Sequence, residues 1–67
     1  MIFKDYTGLD TIIYCINKIE VDEIINLAQE YNIHTFVQLD TIIIPKQSSA
    51  RLQYLVRRDR ILRVLNN

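Results

Sequence analysis

The sequence predicts a small α+β fold: a sheet with strands near residues 2–6, 11–16 and 35–44, and helices over 18–32 and from 49 to 58 or on to 65. Three observations carry that expectation. The stretch Thr35–Pro45 is the most β-prone part of the chain and ends in its only proline, which lacks a donor N–H and sits naturally at a strand end. From Val21 to Tyr31 apolar residues recur at helical spacing. After Ala50, leucines and arginines alternate in a second helical pattern.

In chain order, MIFKDY (residues 1–6) is apolar at Ile2 and Phe3 and suits an edge strand. Gly8 is the only glycine, so Thr7–Asp10 is the best turn in the chain. Thr11–Ile16 is β-branched and aromatic, which favours a strand. It also has helical spacing at Leu9, Ile12, Ile13 and Ile16, so a helix competes there. Asn17 with Glu20 three residues on forms a capping-box variant, and the carboxylates Glu20, Asp22 and Glu23 suit the positive end of a helix dipole. Asn32 is a natural terminator. The stretch after Ile33 is either one long strand or a tight hairpin turning near Leu39–Asp40. The lack of glycine there weighs against the tightest turns, which need positive φ. Ile42, Ile43 and Ile44 place apolar side chains on both faces of a strand, a pattern of strands covered on both sides or lying in an interface. Ser48 or Ser49 can cap the last segment.

Sixty-seven residues make one domain, 1–67, which buries only about 60% of its unfolded surface. A core of that size rarely supplies more than ~3–5 kcal/mol. Apolar residues make up 49% of the chain, in line with a globular protein. With no staple available, burial against a second copy or another protein is the obvious remedy. A lone cysteine, Cys15, excludes an intrachain disulfide and favours a reducing compartment. No aliphatic run exceeds three residues and no signal peptide is visible, so neither a membrane span nor secretion is expected, and cytoplasmic is the default. Twelve isoleucines point to AT-rich coding, as in bacterial or viral accessory proteins of mobile elements.

Net charge is zero but unevenly laid out. Residues 1–45 carry Lys4 and Lys18 against Asp5, Asp10, Glu20, Asp22, Glu23, Glu30 and Asp40. Residues 46–67 carry Lys46, Arg51, Arg57, Arg58, Arg60 and Arg63 against Asp59 alone. Such asymmetry invites charged partners or another copy.

No catalytic motif is spelled out. Cys15 lies in an apolar run with no base nearby in sequence and reads as a structural thiol. His34 reads as a turn residue. Asp22 and Glu23 are adjacent and diverge on a helix, as expected of a solvated first turn rather than a paired-carboxylate site. One glycine allows no phosphate-cradling loop, and one His with one Cys falls short of a zinc site. The expectation is a non-enzyme without cofactor or metal.

From Tyr14 to Leu55 the order is strand, acidic helix ending in Tyr31-Asn32-Ile33, strand closing in Asp40-Thr41-Ile42-Ile43-Ile44-Pro45, then a helix with Arg51 and Leu52. This order resembles the ring-building-motif domains of flagellar M-ring and type III secretion inner-ring proteins. Asn32 stands where that pattern usually has glycine, and the arginine-rich tail lies outside it. The resemblance implies helices packed on one face of a small sheet and a tendency to assemble.

The candidate site is the last segment. In helical projection Leu52, Leu55, Val56 and Leu62 share one side, while Tyr54, Ile61, Val64 and Leu65 lie nearly opposite. A helix apolar on two sides is sandwiched or used for association. Arg57, Arg58, Arg60 and Arg63 lie among them, and guanidinium groups bind carboxylates or phosphates bidentately. The simplest fates of these arginines are solvation or pairing with the acidic first helix. The expected function is a self-associating interaction module that modulates a partner protein through this segment. The alternative is a nucleic-acid-binding regulator touching phosphates, which the zero net charge disfavours.

Overall fold

The computed structural model describes residues 1–5 and 8–66. The chain runs β1 (Ile2–Asp5), β2 (Asp10–Tyr14), α1 (Lys18–Glu30), β3 (Phe36–Gln38), β4 (Thr41–Pro45), a 3-10 turn over Lys46–Ser48, and α2 (Ser49–Leu65). The four strands form one antiparallel sheet in the order β1-β2-β4-β3. Tyr6 of the first expected strand and Thr7 of the expected turn lie outside the described residues.

Residues 10–14 are a strand, so their β-branched content prevails over the helical spacing. Their side chains alternate: Thr11 and Ile13 are fully buried, whereas Tyr14 is exposed. The register Ile13↔Ile42 and Thr11↔Ile44 sets the buried side chains of the two central strands opposite one another. Phe3 and Val37 continue the Ile13–Ile42 row to the sheet edges. Val21, Ile24, Leu27 and Ala28 of α1 and Leu52, Leu55 and Val56 of α2 join these residues in one core cluster.

The opposite face carries the rows Ile2–Tyr14–Thr41–Gln38 and Lys4–Ile12–Ile43–Phe36. Ile2 and Phe36 are more than 60% exposed, and Ile12 and Ile43 are only partly buried. Of the three consecutive isoleucines, Ile42 and Ile44 are therefore in the core and Ile43 is on the open side.

Residues 35–44 are the hairpin rather than one strand, with Leu39 and Asp40 as its two-residue turn. Leu39 takes φ 54° without being glycine. The amide of Cys15 donates to the Asp40 carbonyl at 2.9 Å, which ties this turn to the end of β2.

α1 starts as its capping residues require. Asn17 Oδ1 accepts from the Glu20 amide at 3.0 Å, and Glu20 Oε1 reaches back to the Ile16 amide at 2.9 Å. It ends two residues short of the expected 32, in a Schellman motif. Ile33 N–H donates to Ala28 O, Asn32 N–H donates to Gln29 O, and Asn32 takes φ 57°. Asparagine tolerates that left-handed conformation, and Ile33 is buried behind it. Neither the 3-10 turn nor α2 uses a Ser48 cap, since that side chain makes no capping hydrogen bond. Ser49 is buried and its hydroxyl accepts from Gln53 Nε2. At this end Arg51 stacks over the Tyr31 ring at 5.6 Å, joining the start of α2 to the end of α1.

α2 does not stop at Arg58 but continues to Leu65, past its last buried residue, Val56. The molecule is accordingly elongated, 38 × 22 × 18 Å, with 4988 Å² exposed. A compact monomer of 8.0 kDa exposes about 4450 Å².

Leu39 is 91% exposed, so its side chain contributes no packing to offset the cost of its backbone conformation. Leu39→Gly relieves a left-handed strain of about 1–2 kcal/mol against a smaller entropic loss, for a net gain of about 0.5–1 kcal/mol. Urea melts of the two chains are expected to show a higher midpoint at unchanged slope for the variant.

A candidate protein-binding helix

The site is built on the half of α2 that outruns the core. On its outward side Tyr54, Ile61, Val64 and Leu65 are 60–74% exposed. Leu62, expected on the core side, is 45% exposed because the helix there has passed the layer it packs on. Tyr54, Ile61 and Leu62, with the stems of Arg57 and Arg58, line a shallow apolar groove of about 380 Å³.

The four arginines divide into two pairs. Arg60 faces α1: its Nε donates to Glu23 Oε1 at 3.0 Å, and one terminal nitrogen contacts Glu23 Oε2 and Glu20 Oε2 at 3.3 Å each. Hydrogen bonds to Glu23, and secondarily to Glu20, raise the Arg60 pKa above its ordinary value. Arg63 pairs along its own helix with Asp59 at 2.8 Å. Arg57 and Arg58 have no carboxylate partner among the described residues. They alone combine free positive charge with the apolar groove.

Glu20 is the centre of this arrangement. It closes the capping box, pairs with the N-terminal ammonium of Met1 at 3.1 Å and receives Arg60. Its pKa is held below the usual value, chiefly by the Ile16 amide, with the ammonium and Arg60 adding to the effect. Glu23, expected to be solvated, has a side chain only 10% exposed because Arg60 covers it. No local signal marks that pair, since its members lie 37 residues apart.

The other candidates stand apart from this surface. His34 is exposed beyond α1. Cys15 is half-buried at the end of β2, and burial, more than the nearby Glu20, pushes its thiol pKa up, away from the reactive thiolate. No helix of the described residues is long and apolar enough to cross a membrane. No protein family, curated protein or solved structure matches the chain, so its class is defined by its own geometry. That geometry is a four-stranded α+β module with one helix standing free at its end.

The depressed Glu20 pKa fixes a pH dependence. A carboxylate whose pKa is lower in the folded state contributes stability that is present above its unfolded pKa, about 4.3, and is lost as pH falls through the folded value. The melting temperature of the native chain is expected to drop through that acidic window. Glu20→Gln, which keeps a capping side chain but not the charge, should melt lower near neutrality and show a shallower acid dependence.

Proposed function

We propose that this chain is a small non-enzymatic, self-associating interaction module that binds and modulates a partner protein through the outward side of α2. The observation that carries the reading is the free end of that helix. Tyr54, Ile61, Val64 and Leu65 lie in water beside two arginines that no carboxylate among the described residues engages. Apolar anchors at helical spacing are how an amphipathic helix enters a partner's groove. Unpaired guanidiniums at the rim select an acidic border for that groove and speed encounter with it.

The same two arginines are what remains of the nucleic-acid alternative. With Arg60 and Arg63 held by carboxylates, the four arginines of that alternative reduce to an adjacent pair. A contact through two phosphates is weak at physiological salt, and the apolar stripe would have no role in it. A protein groove uses both features.

The test is capture from the native cell with two baits, the native chain and the variant Arg57→Glu, Arg58→Glu, Ile61→Asp. These residues are exposed, so circular dichroism and melting are expected to be unchanged. A protein retained by the native chain and lost from the variant, then bound by the purified native chain at least about tenfold more tightly, supports the reading. Equal binding of that protein to both baits overturns it. Anisotropy with labelled oligonucleotides examines the alternative: affinity that falls steeply with salt and vanishes in the variant would put nucleic acid in the protein's place.

A further inference from the structure

We infer that the open face of the sheet is where this chain pairs with a second copy of itself, leaving α2 free for a different partner. The inference rests on the reading of the chain as a self-associating module and assigns that association to a surface separate from the helix.

The open face is apolar at its centre, where Ile12 of β2 and Ile43 of β4 lie side by side. Phe36 and Ile2 extend it toward opposite edges, and Tyr14 completes the second row. An antiparallel sheet with one solvated face ordinarily alternates apolar and polar side chains. In both central strands that alternation is broken on the solvent side by isoleucine. Ile12 and Ile43 are only partly buried there in the isolated chain.

Charge selects the occupant. Among the described residues, the only ionised groups on this face are Lys4 on the edge strand β1 and Asp10 at the end of β2, so the face is neutral. A phosphate backbone or an anionic lipid surface has one lysine to bind and an aspartate to avoid. A neutral apolar sheet matches another like it. A two-fold axis parallel to the strands superposes the order β1-β2-β4-β3 on its own reverse. That sets Ile12 against Ile43 of the second copy and Lys4 against its Phe36, where ammonium and ring attract. The two Lys4 side chains fall at opposite edges, so no like charges meet. Parallel helix-to-helix pairing through α2 would instead bring Arg57 and Arg58 of both copies together.

Area sets the strength. Four strands of three to five residues cover a face about 19 Å by 14 Å. Its burial gives on the order of 300–500 Å² per copy, below the standard size of specific interfaces. The expected dimer is therefore micromolar rather than nanomolar, and it dissociates on dilution.

Sedimentation equilibrium of the native chain up to millimolar concentration, with amide shifts followed on dilution, tests the inference. The expected result is a reversible monomer–dimer equilibrium with shifts concentrated in the four strands. Phe36→Lys and Ile2→Lys, both at exposed positions, should weaken dimerisation at least about tenfold. Tyr54→Lys with Ile61→Lys on α2 should leave it intact while removing the partner contact. A chain that stays monomeric throughout overturns the inference. So does a dimer whose shifts map to α2 or that survives both sheet substitutions. The dilution shifts of the native chain need no variant, so they decide the matter even if a sheet substitution impairs folding. If α2 binds no protein partner but the sheet face still dimerises, only the proposed function fails.

Discussion

Ile13 and Ile42 meet across the central pair of strands, both wholly removed from water, and every other element is placed by that contact. Each fully buried isoleucine contributes about 1.5–3 kcal/mol, a large share of what so small a core can supply. Because strand side chains alternate, directing these two toward the helices directs Ile12 and Ile43 away from them. Among the described residues both helices lie on the same face of the sheet, so one face is covered and the other is left in water.

The acidic helix and the basic helix are fixed to each other by a small ionic cluster. Arg60 is itself half exposed, and ion pairs open to water on one side are worth only about 0–1 kcal/mol each, so this cluster does less to stabilise the fold than to join the two helices. Arg60 engages two carboxylates of α1 at once, one of them also bound to the N-terminal ammonium and to the capping amide. Leu52, Leu55 and Val56, buried in the core, set the rotation of α2 about its axis, and the guanidinium fork is consistent with it. That rotation leaves Tyr54, Ile61 and Leu65 looking outward. The separation of negative and positive halves seen in the sequence is thus partly consumed within the fold. Arg57 and Arg58 are what is left over.

How much could be read in advance follows the range of the interactions involved. α1 was legible almost to the residue because its start signal, Asn17 with Glu20, and its stop, Asn32, act over four or five residues. The two-sided character of α2 was legible from spacing alone, and Tyr54, Ile61, Val64 and Leu65 are exposed as their positions imply. The hairpin at Leu39–Asp40 stayed undecided because leucine carries no preference for positive φ. The bond from Cys15 that secures this turn comes from another strand. Pairing of the arginines with the acidic first helix was expected from the charge layout, and Arg60 makes it; which arginine and which carboxylates stayed hidden because they lie 37 and 40 residues apart. Leu62 was misplaced because projection gives the side of a helix but not where the neighbouring layer ends.

The brevity of β3 has a consequence for how the protein behaves when crowded. β3 covers β4 only as far as Ile43, leaving Ile44 and Pro45 at the border. There a newcomer strand would look for amide donors, and proline has none to offer. On the far border β1 is four residues long, and its second half is charged, Lys4 followed by Asp5. Short, charged or proline-terminated borders are poor templates for cross-β growth. In a chain this rich in isoleucine, such borders disfavour polymerisation into fibres.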